Sequence, residues 1–143
     1  MIYYLSLGSN LGNREATLRE ALARIEQRIG SIDRCSSFFY SAPWGFQSEH
    51  EFCNLCCRVE TAMEPLEVLQ VTQAIERELG RTHKTELVND QSPVYSDRSI
   101  DIDLIRVFDD DGKEIVSTDP MLTIPHPLWE KRDFVAIPLA EIF

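Results

Sequence analysis

The chain has 143 residues, 43% of them hydrophobic, and a formal net charge of −10. This is the length of one ordinary domain that can bury a core, and we expect a single domain over residues 1–143. The negative charge disfavours a nucleic-acid binder, because neutralisation of phosphates supplies most of that affinity. The sequence contains no long apolar run and no charged signal-peptide start, so we expect a cytoplasmic protein without a membrane span.

The first half of the chain predicts the order strand, helix, strand, strand, helix. Apolar, β-rich segments predict strands over residues 2–7, 32–41 and 52–61. Apolar residues at helical spacing predict two amphipathic helices that lie on the sheet and end at glycines. Their buried stripes and closing glycines are Leu18, Leu22, Ile25, Ile29 and Gly30, and then Val68, Val71, Ile75, Leu79 and Gly80.

The second half adds one strand to this order. Residues 82–96 have no hydrophobic periodicity, which predicts a long loop. Loops of that length are usually functional or disordered, and this one ends at the last predicted strand, so we expect a lid over that strand. Residues 97–105 alternate as a strand, and 105–118 predict a hairpin whose turn is 109–112. The whole order predicts an α+β, ferredoxin-like split βαβ fold. Its antiparallel sheet would carry two helices on one face, an extra hairpin and C-terminal segment, and a free opposite face for a site.

Two aspartates alternate with apolar residues in the last predicted strand. Ile100, Ile102 and Leu104 belong on a buried face, whereas Asp101 and Asp103 share the other face, about 7 Å apart. Carboxylates that close repel each other, so a cation should lie over them. Magnesium prefers one or two carboxylates together with water and phosphate oxygens. The alternative is a solvated strand face with two ordinary carboxylates.

Positive side chains gather near these aspartates despite the overall negative charge. Arg77, Arg81, Lys84, Arg98 and Arg106 lie within thirty residues, and Arg132 follows later. They could bind a polyphosphate, or they could be ordinary solvated cations. His126 stands between two prolines that would stiffen it, although such a histidine can also be structural.

Aromatic and amide residues predict a place for a flat ligand. The loop 41–47 contains Trp44 and Phe46, which either wall a pocket for a planar molecule or pack on the domain. Phe52, Asn54 and Cys56 share one face of the third strand. Asn54 offers both a donor and an acceptor to the edge of a heterocycle.

Four cysteines, at 35, 53, 56 and 57, raise the question of redox or zinc chemistry. Cys53 and Cys56 are three residues apart in a predicted strand, so their side chains would point to opposite faces. No second pair has zinc-finger spacing. We therefore expect buried free thiols, with a thiol redox protein as the alternative.

Seven separated motifs stand in the order of one known family, and the likeness spans nearly the whole chain. The chain strongly resembles the 6-hydroxymethyl-7,8-dihydropterin pyrophosphokinases of folate biosynthesis. Its most specific motifs are Arg-x-Ile-Asp-Ile-Asp at 98–103 and Ile-Pro-His-Pro at 124–127. The others are Leu-Gly-Ser-Asn-Leu-Gly at 7–12, Pro43-x-Gly45, Phe52-x-Asn54, Glu76-x-x-x-Gly80-Arg81 and Arg132-x-Phe134.

The resemblance implies that ATP gives its β,γ-pyrophosphate to the hydroxymethyl oxygen of the pterin and leaves as AMP. It implies two Mg²⁺ ions and a monomer that acts on small molecules, without nucleic acid or membrane. Asp101 and Asp103 would hold both metals and, with Arg81 and Arg98, form the catalytic set. The implied ATP site is Gln73, Glu76, His83, Lys84, Arg98, Leu104, His126 and Arg132. The implied pterin site is Ser41, Ala42, Pro43, Trp44, Phe52, Asn54, Tyr95 and Phe134.

Three departures from the family pattern lie between residues 81 and 96. His83 stands where members often have an arginine, and it is mostly neutral at pH 7. The segment 86–96 is longer than in compact members, and Tyr95 corresponds to a family tryptophan. A catalytically silent metabolite- or protein-binding module and an RNA-binding domain of similar topology are alternatives. The presence of both metal ligands opposes the first, and the net charge opposes the second.

Overall fold

A computed structural model describes residues 1–42, 51–80 and 99–143. The helices are α1 (Arg14–Arg28), α2 (Pro65–Gly80) and α3 (Asp133–Ile142), and a short 3-10 turn covers Trp129–Lys131. The strands are β1 (Ile2–Ser9), β2 (Ser31–Cys35), β3 (Phe39–Ser41), β4 (Phe52–Glu60), β5 (Asp101–Phe108), β6 (Ser117–Asp119) and β7 (Leu122–Ile124). Among these helices none has the length and hydropathy needed to cross a membrane.

The main sheet is antiparallel and has the strand order β2-β4-β1-β5, with β3 also paired to β4. The central strand β1 lies between β4 and β5, as a split βαβ arrangement requires. Strands β6 and β7 form a separate hairpin. The predicted ferredoxin-like α+β fold is confirmed.

One face of the sheet packs against α1 and α2 and forms the larger core. Tyr3, Leu5 and Leu7 of β1 are fully buried there, because every second residue of a strand points to the same face. The predicted helical stripes supply the other side of this core. Their buried members include Leu18, Ile25, Val68 and Ile75.

The opposite face is partly covered by α3, so the prediction that it is free was wrong for the part around Tyr4. Val135, Leu139 and Ile142 of α3 pack against Tyr4 and other side chains on this face. The sequence had indicated only a final apolar segment there, because Pro138 removes one helical hydrogen bond. Burial of the apolar stripe of α3 offsets that loss, and this helix covers the end of the face around Tyr4.

The predicted second strand is interrupted rather than continuous. Ser36 lies between β2 and β3, where its backbone nitrogen donates to the Cys56 oxygen and its hydroxyl accepts from the Cys56 nitrogen. The Ser36 hydroxyl thus replaces a main-chain acceptor for the Cys56 nitrogen, so the chain can leave the β-ladder with β4 at this residue. The predicted turn at 109–112 is present with Gly112 at φ 80°, but the returning chain forms only an isolated bridge between Phe108 and Glu114.

Gly30 is needed for a close backbone approach. Its φ is not positive, so it is not a left-handed helix cap. A Cβ at this position would overlap the Glu60 carbonyl oxygen and lie 2.8 Å from the Thr61 Cβ. We expect Gly30→Ala to lower the free energy of unfolding by about 2–4 kcal/mol, measured by urea denaturation.

Gly80→Ala is the matched control for this substitution. No atom of the described residues lies within 4 Å of a Cβ on Gly80, at the end of α2. The free energy of unfolding of Gly80→Ala should equal that of wild type or exceed it by up to about 1 kcal/mol, since alanine favours a helix. Equal urea midpoints for the two variants would contradict the close approach at Gly30.

An ion-pair cluster joins α1 to α2. The Glu78 carboxylate accepts hydrogen bonds from Arg28 at 2.7 and 2.8 Å and from Arg24 at 2.7 Å. These guanidinium groups, Arg28 first, lower the pKa of Glu78 to about 2. Because this pKa lies below the value of the unfolded chain, the stabilisation is present above about pH 5 and is lost as the pH falls towards 2.

Glu78→Gln should therefore destabilise the protein near pH 7, and the difference from wild type should shrink as the pH falls towards 2. Urea midpoints of wild type and variant at pH 7, 4 and 2.5 measure this convergence, which added salt should reduce. Glu26→Gln removes the same charge from an exposed position on α1 and serves as the control. A wild-type-to-variant difference that does not depend on pH would refute the ionic origin.

Candidate active site

The sheet face opposite α1 and α2 carries two rows of residues from β4, β1 and β5 beside the part that α3 covers. Gly8 of β1 is paired with Asn54 on one side and with Asp101 on the other. In the next row, Ser6 is paired with Cys56 and Asp103. The amide and both carboxylates thus share the face opposite α1 and α2, as the alternating pattern predicted.

Gly8 leaves a gap in the middle of the first row. A Cβ there would lie 2.9 Å from the Asn54 Oδ1 and 3.5 Å from the Phe52 Cδ1. The absent side chain therefore lets the Asn54 and Phe52 side chains lie close over the main chain of Gly8, which is itself buried. The predicted first strand ended at residue 7 and missed this role. A glycine that continues an apolar strand was the available signal.

Asn54 is buried and held in one orientation. Its Nδ2 donates to the Phe39 carbonyl oxygen and to the Ser41 hydroxyl, both at 2.9 Å. Its Oδ1 is directed towards Gly8 and can accept a hydrogen bond from the N–H edge of a flat heterocycle. The Ser41 side chain orients this amide.

Three carboxyl groups approach one another at the β5 side. The Glu76 side chain on α2 accepts a hydrogen bond from the Ile102 nitrogen at 2.7 Å and shares another with Asp101. Burial raises the pKa of Glu76 well above its usual range, and repulsion from Asp101 and Asp103 acts in the same direction. This electrostatic cost would fall if a cation lay beside the group.

The donor set fits a magnesium ion that shares its ligands with a substrate. In the described parts of the chain, no three acidic, histidine or cysteine side chains are grouped closely enough to hold a metal by themselves. Asp101 and Asp103 offer oxygen ligands only. Magnesium commonly takes one or two carboxylates and fills its other positions with phosphate oxygens and water.

His126 and Arg132 lie on the outer side of β5. The backbone nitrogen of His126 donates to the Ile105 carbonyl oxygen at 2.8 Å, and the ring Nδ1 of His126 accepts from the Leu128 backbone nitrogen at 3.2 Å. Burial lowers the pKa of His126, and the charge of Arg132 acts in the same direction. The imidazole is thus neutral at pH 7, with Nε2 as the nitrogen available to a ligand.

The remaining described candidates surround these groups. The Arg132 guanidinium lies 5.8 Å from the centre of the Phe134 ring. Phe134 directly precedes Val135, whose carbonyl oxygen is 3.7 Å from the Cys56 Sγ in the second row. Phe52 is half-buried and lies beside Gly8. Gln73 and Ala42 are exposed. The side chain of Leu104 is buried in the larger core.

One of the cations considered in the sequence lies apart from this arrangement, and others cannot be placed. Arg106 lies a row further along, opposite Tyr4, and binds Glu114 at 2.8 Å, which favours the alternative of an ordinary surface cation. The predicted lid and several site residues lie outside the described residues. These are Pro43, Trp44, Arg81, His83, Lys84, Tyr95 and Arg98.

The cysteines are free, as predicted, but not all of them are buried. Cys53 and Cys57 belong to the larger core and Cys56 to the opposite face, whereas Cys35 is exposed because β2 is an edge strand. Burial raises the pKa of Cys56 to about 12. A buried, protonated thiol is unreactive, which argues against a thiol redox protein.

A pair of carboxylates in line with an oriented amide is compatible with an enzyme that binds a phosphate-bearing substrate and a flat ring. The family model for 7,8-dihydro-6-hydroxymethylpterin-pyrophosphokinase (HPPK) matches residues 4–143. The 2-amino-4-hydroxy-6-hydroxymethyldihydropteridine pyrophosphokinase of Porphyromonas gingivalis is 43% identical, over 99% of this chain and 90% of its own length. The Bacillus subtilis enzyme is 35% identical, over 99% and 77%. The chain belongs to the HPPK family.

A solved structure agrees with the fold. A crystal structure of an HPPK-DHPS in complex with substrates superposes with a TM-score of 0.60, covering 94% of this chain and 38% of that one at 15% identity. Family membership confirms the predicted activity. The protein is a diphosphokinase of folate biosynthesis that uses ATP and the hydroxymethyl pterin as substrates. Its ATP-dependent phosphoryl transfer belongs to a class that generally needs Mg²⁺.

Proposed function

We propose that the row Asn54–Gly8–Asp101 divides the site into a pterin half and a phosphate half. The register of this row is the observation that supports the division, because it puts a hydrogen-bonding amide and a carboxylate on either side of a glycine. Two strand spacings separate their Cα atoms by about 10 Å. A bicyclic pterin can lie in that space with its hydroxymethyl group directed towards Asp101.

In the pterin half, the ring lies between Phe52 and Phe134 and its edge reaches the Asn54 Oδ1. Aromatic stacking supplies affinity for a flat ring, and the single fixed acceptor supplies orientation. Ser41 holds Asn54 in place. Ala42, Pro43, Trp44 and Tyr95 complete the proposed pocket on the basis of sequence.

In the phosphate half, Asp101 and Asp103 hold two Mg²⁺ ions with the oxygens of ATP. The bound metal would neutralise the charge of the phosphates. His126 and Arg132 bind the nucleotide from the outer side of β5, and Gln73, Glu76 and the main chain of Leu104 contribute the rest. Arg81, His83, Lys84 and Arg98 join them on the basis of sequence.

The protein contributes position and charge rather than a covalent nucleophile. Phosphoryl transfer of this kind depends on in-line placement of the two substrates and on neutralised charge. Asp101 stands at the boundary of the two halves and orients the hydroxymethyl oxygen towards the β-phosphate. We further propose that residues 1–143 act as one domain and a monomer in the cytoplasm, without nucleic acid or membrane, in keeping with the net charge of −10.

A nucleotide assay tests the reaction. Purified protein is mixed with ATP, Mg²⁺ and 6-hydroxymethyl-7,8-dihydropterin, and AMP is separated from ADP by chromatography. AMP that forms only when the pterin is present supports pyrophosphoryl transfer. ADP would indicate an ordinary kinase, and bound ATP without product would indicate a silent module.

A further inference from the structure

Arg14 contacts β3 and the residue just before β4, the two strands that carry the proposed pterin half. Its Nη1 donates to the Glu51 carbonyl oxygen at 2.9 Å, and its guanidinium lies 5.3 Å from the centre of the Tyr40 ring. Glu51 directly precedes Phe52, and Tyr40 directly precedes Ser41. One side chain of α1 therefore touches the chain next to two proposed pterin residues.

Glu15 adds a second contact from the same helix. The Tyr40 hydroxyl donates to the Glu15 Oε2 at 2.6 Å. Consecutive residues of α1 therefore hold the face and the hydroxyl of one ring. This leaves Tyr40 little freedom, although 45% of its surface is exposed.

The stability of α1 does not account for Arg14. The helix begins at this residue, and Asn13 caps it by accepting from the Ala16 nitrogen at 3.1 Å. A positive charge in the first turn is unfavourable, because the helix dipole is positive there. Within the described residues, Arg14 contacts Tyr40 and Glu51 and is attracted to its neighbour Glu15.

The contacts of Arg14 and Glu15 act on β3 and β4, the two strands that the Asn54 side chain also holds together. Strands β3 and β4 pair Ser41 with Phe52 and Phe39 with Asn54, and the Asn54 amide bonds to both Ser41 and Phe39. Arg14 supports this pair from its outer end. A shift of either strand would displace the Phe52 ring and the Asn54 Oδ1 together.

We propose that Arg14, through Tyr40 and Glu51, is a positioning residue that sets the affinity for the pterin but not for ATP. This inference depends on the pterin half proposed above. Its two contacts are a hydrogen bond and a cation–π contact. Loss of both should raise the KM for the pterin about tenfold, with the KM for ATP and kcat within about twofold of wild type.

Arg14→Ala and Arg19→Ala form a matched pair for the test. Arg19 lies on the same helix with its guanidinium 5.3 Å from the centre of the Phe38 ring, but no hydrogen bond ties it to the site strands of the described chain. Both KM values, kcat and the melting temperature are measured for each. Arg19→Ala should leave the pterin KM unchanged. Tyr40→Phe keeps the aromatic ring and should raise the KM for the pterin by only about threefold.

Two results would overturn the inference. One is a pterin KM for Arg14→Ala within about twofold of wild type. The other is an equal rise of both KM values with a lower melting temperature, since a purely structural role predicts that pattern. Asn54→Ala separates this failure from failure of the proposed site. If it also leaves the pterin KM unchanged, the pterin half itself is misplaced.

Discussion

Asp103→Ala is expected to lower kcat for AMP formation by at least about a thousandfold. Asp103 is one of only two carboxylates on the face of β5 away from α1 and α2, where it stands opposite Ser6. Its loss removes half of the protein ligands proposed for the metals, and the phosphates then lack charge neutralisation. Initial rates of AMP production at saturating ATP, Mg²⁺ and pterin measure the effect.

The same variant should keep or gain thermal stability without substrates. Removing one of the mutually repelling carboxylates relieves Glu76 and Asp101 of an unfavourable charge. Asp111→Asn, in an exposed turn, is the control and should retain full activity. AMP formation within about tenfold of wild type in Asp103→Ala would refute the assigned role.

Asn54→Ala is expected to raise the KM for the pterin about a hundredfold and leave the affinity for ATP unchanged. The substitution removes the acceptor directed over Gly8 and also the bonds that hold Phe39 and Ser41. Two or three lost hydrogen bonds in a buried place account for this magnitude. Steady-state kinetics with each substrate varied in turn separate the two affinities.

Ser41→Ala provides a graded comparison. It removes one partner of Asn54 and leaves the Oδ1 in place, so the pterin KM should rise by only about threefold. Both variants should lose some stability, because Asn54 is 2% exposed and its partners become unsatisfied. An equal loss of ATP and pterin affinity in Asn54→Ala would show that the effect is on folding and not on recognition.

The parts of the site that follow from local periodicity could be predicted from the sequence. Alternation alone put Asp101 and Asp103 on one face and Ile102 on the other, because the side-chain period of a strand is two. The helical stripes around Leu18 and Val68 were equally direct. The family motifs then supplied the chemistry, which periodicity does not contain.

The features that escaped prediction depend on tertiary contacts or on single exceptions to local rules. The proline at 138 argues against a helix in the sequence, so α3 was not predicted. The burial that stabilises this helix comes from sheet residues that are far away in sequence. The hydroxyl of Ser36 replaced a ladder bond and divided the second strand. Arg14 and Glu51 are 37 residues apart, and no spacing in the sequence connects them.

The pairing of Gly8 with both neighbouring strands also determines how the distance between the two halves of the site is set. The separation of Asn54 from Asp101 is given by main-chain hydrogen bonds between β4, β1 and β5. Interstrand spacing is nearly constant in all sheets and does not vary with the volume of core side chains. Substitutions in the core can therefore change stability while the span offered to the substrates stays the same. Changes in substrate preference would have to arise at the ends of the row, from the side chains that meet the ring or the phosphates.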